Sequence, residues 1–239
     1  MSFLLQPIRA FEFTSPVYDY IKNRFLWIKP ISSVIFANPY FRRLYTRRNI
    51  NERVVETPFI FANLPRSGKI LDVGACESPV SLMLASMGYK VWANDTRPYD
   101  FKHPNLKNKV GSVLDLPERN YFNTVICLSV LEHIGINAYG NPELADLDKL
   151  AVAKMYQLLR PGGKLLLTTP IDTYHHGIYR ARIYTIAELK DFLHPFSKTE
   201  IKIGYKDRKE VWRIGSELPR NFKSFGVKPC AVALISATK

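Results

Sequence analysis

The chain has little that would staple or anchor it. Its three cysteines, Cys76, Cys127 and Cys230, are an odd number, lie far apart and form no CxxC pair. A disulfide framework and a zinc knuckle are both excluded on that pattern, and a reducing, cytoplasmic setting is expected. No stretch reaches the roughly 18 consecutive apolar residues of a spanning helix. The start, Met1 to Pro7, lacks the basic segment and long apolar core of a secretory signal. Internal repeats and low-complexity tracts are also missing. Acidic residues are the scarcer charge, 21 against 34 Lys and Arg, for a formal net charge of +13. The imbalance sits at the ends: residues 1–70 carry +7, residues 71–196 carry zero and residues 197–239 carry +6.

What is present is enough apolar material for a substantial core. Of 239 residues, 46% are hydrophobic and 13% aromatic, which excludes general disorder. The length suits one large domain, or one with an appendage. The first 68 residues are rich in Phe, Tyr, Pro and Arg, and are broken at Pro7, Pro16, Pro30, Pro39 and Pro58. Val17, Tyr20, Ile21 and Arg24 have helical spacing, and Phe36 to Arg48 is a second aromatic and basic segment. Residues 1–68 are therefore read as an N-terminal helical extension, and residues 69–239 as the main domain.

From Lys69 onward strands alternate with helices. Lys69 to Val73 reads as a buried strand, and Ser78-Pro79 as a helix start before Val80 to Met87, closed by Gly88. Tyr89 to Ala93, Val110 to Val113, Asn123 to Leu128 and Lys164 to Thr169 are the next expected strands. A helix through Leu147, Ala151, Met155 and Leu158 ends at Arg160-Pro161-Gly162-Gly163. Thr185 to Leu193 reads as helix, Lys198 to Ile203 and Ala231 to Ile235 as strands. Such alternation predicts an α/β fold with a mostly parallel sheet and helices on both faces.

In such a sheet ligands bind at the carboxyl ends of the strands. The first strand-to-helix turn carries Gly74, which allows a tight turn and close backbone approach. Asp95 ends the second strand, where a carboxylate can accept hydrogen bonds from ribose hydroxyls. Together these two features favour a nucleoside-containing cofactor.

Five segments then occur in one order: Ile70-Leu71-Asp72-Val73-Gly74-Ala75, Trp92 to Asp95, Gly111 to Pro117, Val130-Leu131-Glu132-His133-Ile134, and Leu159 to Leu165. The set resembles the class I S-adenosylmethionine-dependent methyltransferases of the broad small-molecule group, over roughly residues 69–170. The resemblance implies a Rossmann-like, seven-stranded, mostly parallel sheet whose last strand inserts antiparallel. It implies S-adenosylmethionine as cofactor. Asp72 and the backbone of Gly74, Ala75 and Cys76 would face its methionine portion, and Asp95 its ribose. Ser112 and Val113 would flank the adenine, with Cys127 and Leu128 beside the sulfonium. Two positions depart from the pattern: Cys76 and Ser78 replace the glycines usual after Gly74, and Ser112 replaces a frequent acidic residue.

A nicotinamide enzyme is the competing reading, but it needs G-x-G-x-x-G to seat a pyrophosphate. Positions 74, 76 and 79 are Gly, Cys and Pro, so only the first glycine is present.

Methyl transfer also needs an aligned acceptor and, for a hydroxyl, a proton acceptor. Glu132 and His133 follow the fourth strand where the acceptor should enter, and a free imidazole titrates in the range that suits a general base. Packing or capping of this loop by His133 is the other reading. The resemblance places Tyr139, His175, His176, Arg180, Arg182 and Tyr184 over the acceptor pocket. His175 and His176 have no carboxylate at ligand-like spacing, so no metal is expected.

The acceptor is expected to be a small, glycan-like or lipid-linked molecule, methylated on O or N. The basic, aromatic N-terminal segment could meet an anionic membrane surface, an acidic substrate or RNA, or simply pack on the catalytic domain. The expected location is cytoplasmic, with peripheral membrane contact as an option. An RNA methyltransferase and a non-catalytic binding protein of the same fold stay open as alternatives.

Overall fold

The structure is a computed structural model that describes residues 51–136, 144–174, 176–178, 181–209, 211–220, 222 and 231–239, with residues 176–178 described as backbone. The helices expected before Asn51, and Tyr139, His175 and Arg180, lie outside the described residues. The chain divides into Met1–Asn51 and Glu52–Lys239, and the second unit holds the sheet and its helices.

An eight-stranded sheet forms the centre of that unit. In chain order its strands are β1 (Lys69–Val73), β2 (Lys90–Asp95), β3 (Leu106–Val110), β4 (Phe122–Leu128), β5 (Leu159–Pro170), β8 (Lys198–Lys206), β9 (Trp212–Gly215) and β10 (Ala231–Thr238). β6 (His176–Ile178) and β7 (Ala181–Ile183) pair separately as a small antiparallel hairpin. The sheet order is β3-β2-β1-β4-β5-β10-β8-β9. β1 pairs in parallel with both β2 and β4, which makes the crevice beyond β1 and β4 the switch point of the topology. β10 runs antiparallel between β5 and β8, as expected.

The sheet has eight strands where seven were expected. The additional one is β9, a short return from β8 whose residues are half-buried or exposed. A four-residue edge strand without buried side chains leaves almost no hydrophobic periodicity to read. The third strand also lies upstream of its expected place. Its sequence LKNKV is exposed at most positions, and its lysines suit an unpaired edge. Val113, expected to end that strand, instead opens a 3-10 turn, Val113–Asp115. β5 starts five residues early, at Leu159. Its pairing with β4 then skips from Phe122↔Leu159 to Thr124↔Lys164, so the Arg160–Gly163 turn is carried as an irregularity within the strand.

Both faces of the sheet are covered. Ile70, Val91, Ile126, Leu128 and Leu166 pack with α1 (Arg53–Asn63) and α2 (Val80–Ser86) on one side. Leu71, Trp92, Val125, Cys127 and Leu167 pack with α3 (Leu147–Leu158) and α4 (Ile186–Phe192) on the other. Neighbouring strand residues thus alternate between two cores, as the pleat requires.

α1 falls within the second unit, although its sequence reads with the extension. It buries Val55, Glu56, Phe59 and Ile60 as one stripe. Gly204 of β8 lets it approach closely, since a Cβ there would lie 2.7 Å from Val55 Cγ2. α4 starts with a complete capping box between Thr185 and Glu188.

Candidate functional site

The turn after β1 is built on Gly74, whose φ of +75° is left-handed. A Cβ at this position would sit 2.2 Å from Val130 Cγ2, so glycine is required by both conformation and space. The Gly74 N–H donates to the Asn94 carbonyl at 2.8 Å, fixing the turn against the end of β2. Ala75 is fully buried and Cys76 half-buried.

Asp95 organises the space beside that turn. One carboxylate oxygen accepts the Cys76 N–H at 3.0 Å, and the other accepts the Arg97 N–H at 3.0 Å. A carboxylate has about four acceptor positions, so these bonds leave capacity for ribose hydroxyls. Asn94 donates to the carbonyls of Lys109 and Gly111 at 3.0 and 2.9 Å, positioning the loop after β3. There Ser112 caps the Val113–Asp115 turn, its hydroxyl accepting from the Leu114 N–H at 3.2 Å, and Val113 is buried. Sequence motifs from β1, β2 and β3 therefore converge on one end of the sheet.

Asp72 lies within electrostatic range of Asp95 and is tied to the next helix. It is buried and accepts the Ser81 hydroxyl at 2.7 Å, tying β1 to α2. Burial pushes its pKa up to about 6, opposed by the Ser81 hydrogen bond. Cys127 is fully buried in the core shared with α3 and α4, and burial pushes its thiol well above its ordinary range. Leu128 is buried on the opposite face.

The loop leaving β4 carries the second half of the site. Ser129 has a φ of +50°, and its N–H is held by the Thr168 carbonyl and hydroxyl at 3.0 and 3.1 Å. Leu131–His133 forms a 3-10 turn that separates the two candidate proton acceptors. Glu132 is buried and accepts the Thr169 hydroxyl at 3.2 Å, whereas His133 is half-buried. Burial, reinforced by the nearby Glu56 charge, pushes the Glu132 carboxyl up to about 8.

Arg182 and Tyr184 brace this loop from the other side. Tyr184 donates its hydroxyl to Asp148 at 2.8 Å and also reaches the Leu131 carbonyl at 3.3 Å. Arg182 pairs with Asp148 at 3.3 Å and donates to the carbonyls of Ile134 and Gly135. Burial and the Asp148 charge push the Tyr184 phenol well up, so it stays a hydrogen-bond donor. A cavity of about 570 Å³ opens beside this brace, lined by Asp146, Lys149, Glu188, Asp191 and the brace itself. The residues of the Gly74 turn do not line it. Arg182 and Tyr184, the two of the six expected acceptor-pocket residues whose side chains are described, are thus engaged in holding the loop.

Sequence reasoning missed Arg53, Glu56, Ser129 and Thr169, all of which meet near the end of β4. An Arg and a Glu three apart on a helix ordinarily signal only a solvated ion pair. Among the described residues, no group of His, Cys, Asp and Glu is arranged to hold a metal ion. No described helix is long and apolar enough to cross a membrane.

A family model described as a methyltransferase domain matches residues 42–203. No curated protein matches the sequence. Several solved structures resemble the chain at low identity, which speaks to fold. One is a SAM-dependent methyltransferase from Archaeoglobus fulgidus, with TM-score 0.56, 15% identity, and coverage of 84% of this chain and 100% of that one. Another is the Burkholderia thailandensis 1,6-didemethyltoxoflavin-N1-methyltransferase, solved with 1,6-didemethyltoxoflavin and S-adenosylhomocysteine. It has TM-score 0.53, 15% identity, and coverage of 87% and 88%. A SAM-dependent methyltransferase from Methanosarcina mazei has TM-score 0.52, 16% identity, and coverage of 75% and 96%.

Proposed function

The chain belongs to the methyltransferase-domain family, and on that premise we propose how its site works and on what. It is a class I S-adenosylmethionine-dependent methyltransferase with S-adenosylmethionine as cofactor. The cofactor supplies a methyl group already activated on a sulfonium. In this proposal the Gly74–Cys76 backbone borders its methionine portion and Asp95 accepts from its ribose. Ser112 and Val113 flank the adenine. Leu128 lies toward the sulfonium, with Cys127 offering only main chain because its side chain is in the core.

The acceptor is a small, glycan-like or lipid-linked molecule, methylated on oxygen or nitrogen. Glu132 is the proposed proton acceptor, since a carboxyl pushed up to about 8 works close to neutral pH. The Arg53 guanidinium favours its ionised form, which readies it for the acceptor's proton. His133, half-buried on the same short turn, lines the acceptor's approach. The excess of positive charge toward the chain ends favours an acidic acceptor or an anionic membrane surface as partner. The proposed location is cytoplasmic.

The observation that supports this reading best is the Cys76–Asp95 junction, a carboxylate held against a turn that lacks the glycines of a pyrophosphate cradle. Calorimetry with S-adenosylhomocysteine and with NADH tests it. S-adenosylhomocysteine should bind and NADH should not; the reverse result overturns the reading. Mass spectrometry of a cell extract incubated with the enzyme and methyl-labelled cofactor then identifies the acceptor.

A further inference from the structure

Helix α1 brings two charged side chains to the carboxyl end of β4, and neither belongs to the motifs that mark the cofactor turn. Glu56 is fully buried and accepts the Ser129 hydroxyl at 2.6 Å. Its other oxygen pairs with Arg53 at 2.8 Å, and Arg53 also donates to the Leu128 carbonyl at 3.3 Å. A buried carboxylate, even in the first turn of a helix, is destabilising unless its partners offset the lost hydration. Here the partners of Glu56 are Arg53 on its own helix and Ser129, the first residue of the loop beyond β4.

That loop is also unusual in its backbone. Ser129 adopts a left-handed φ of +50°, which a residue other than glycine keeps only when its surroundings hold it. Thr168 holds its main chain and Glu56 its side chain. Three residues on, Glu132 is buried on the 3-10 turn, within electrostatic reach of Glu56.

We propose that Glu56, partnered by Arg53, is a positioning residue of the methyl-transfer centre, acting through Ser129 and Glu132 by charge as well as by shape. The inference rests on the reading of Glu132 as proton acceptor. The groups around Glu132 come from several elements. Glu56 and Arg53 face it from α1, Cys127 from β4, and Thr169 from β5. Asp148, Arg182 and Tyr184 tie the same loop from α3 and the β7 side. His133 adjoins it on the turn. Of these, Glu56 raises the Glu132 carboxyl and Arg53 lowers it.

The two α1 residues therefore make opposite predictions. Glu56→Gln keeps an oxygen for the Ser129 hydroxyl but removes the like charge and the carboxylate that pairs with Arg53. Glu132 should then lose its proton at lower pH. Arg53→Gln removes the cation, and Glu132 should lose its proton at higher pH. A purely structural role would not displace the titration in opposite directions.

The test uses the full chain with glutamate labelled with carbon-13 at its side-chain carboxyl, followed by NMR across pH. The Glu132 signal is identified by its loss in Glu132→Gln. The wild-type midpoint is expected near 8, moving down in Glu56→Gln and up in Arg53→Gln. Unmoved midpoints, or shifts in one direction for both variants, overturn the proposal. Should Glu56→Gln fail to fold, Arg53→Gln decides alone, because that side chain is 40% exposed and glutamine keeps an N–H donor at the position. Calorimetry with S-adenosylhomocysteine runs in parallel and should give affinities close to wild type in the folded variants. Unmoved titrations with normal S-adenosylhomocysteine binding overturn only the positioning role. No binding to any form, wild type included, overturns the function reading and this proposal with it.

Discussion

The backbone N–H of Cys76 and the carboxylate of Asp95 meet at 3.0 Å, joining the turn after β1 to the tip of β2. The same carboxylate accepts from the Arg97 N–H and pairs with the Arg97 side chain, so one side chain shapes two loops. Asp95→Ala should weaken S-adenosylhomocysteine binding by roughly 1–3 kcal/mol, about 5- to 150-fold, because it loses both the loop tie and the ribose acceptor. Asp95→Asn, which keeps one acceptor oxygen, should fall between the two. Calorimetry at fixed salt measures this, and unchanged affinity in Asp95→Ala would mark Asp95 as a loop residue only.

Gly74→Ala should cost both fold stability and cofactor binding. Its Cβ collides with Val130 and its φ of +75° is unfavourable for any side chain. Pairing it with Val130→Ala relieves the collision but not the conformational cost, of about 1–2 kcal/mol. Thermal unfolding of the single and double variants should therefore show partial recovery, never a full one.

Glu132 should leave a signature in stability against pH. Its carboxyl is raised from an ordinary value of 4.5 to about 8 by burial. Between those values the unfolded chain has released the proton that the folded chain still holds, so stability falls as pH rises, by at most about 1.4 kcal/mol per unit. Below the unfolded value the effect is absent. Denaturant midpoints from pH 5 to 8 should show this decline in wild type and a flatter profile in Glu132→Gln. Equal slopes in the two proteins would contradict the buried, protonated assignment.

Tyr184→Phe separates the loop brace from the cofactor turn. It leaves buried Asp148 without its 2.8 Å hydroxyl donor, at a cost of roughly 1–3 kcal/mol. For a domain this size that corresponds to a Tm lower by several degrees, at about 2–4 °C per kcal/mol. S-adenosylhomocysteine affinity should stay near wild type. A marked loss of affinity with unchanged Tm would place Tyr184 in direct contact with ligand.

Truncation should distinguish the end of one unit from the start of the first strand. A chain beginning at Glu52 keeps α1 and should yield folded protein. A chain beginning at Lys69 removes Val55, Phe59 and Ile60 from their core, uncovering one face of the sheet. It should aggregate or unfold, read by light scattering and circular dichroism. Equal solubility of the two would mean α1 is dispensable to the core.

The alternation of strands and helices, the turn at Gly74 and the carboxylate at Asp95 were all legible in the sequence. These are local signals: an apolar run, a residue whose backbone permits a left-handed turn, and a strand end at fixed spacing all lie within a few residues of one another. The antiparallel last strand was legible too, through the resemblance of ordered motifs. Which polar residues share a space became visible only in the folded chain. Asp72 looks like a ligand-facing acid in the motif, yet the fold turns it onto Ser81. Arg182 and Tyr184 look like acceptor contacts, yet the fold ties them to Asp148 and the loop after β4. Glu56 looks like a solvent-facing helix residue, yet it lies 73 positions from the Ser129 it binds. Such pairings depend on how α1 crosses the sheet, and periodicity along a chain carries no information about which distant hydroxyl a buried carboxyl will meet.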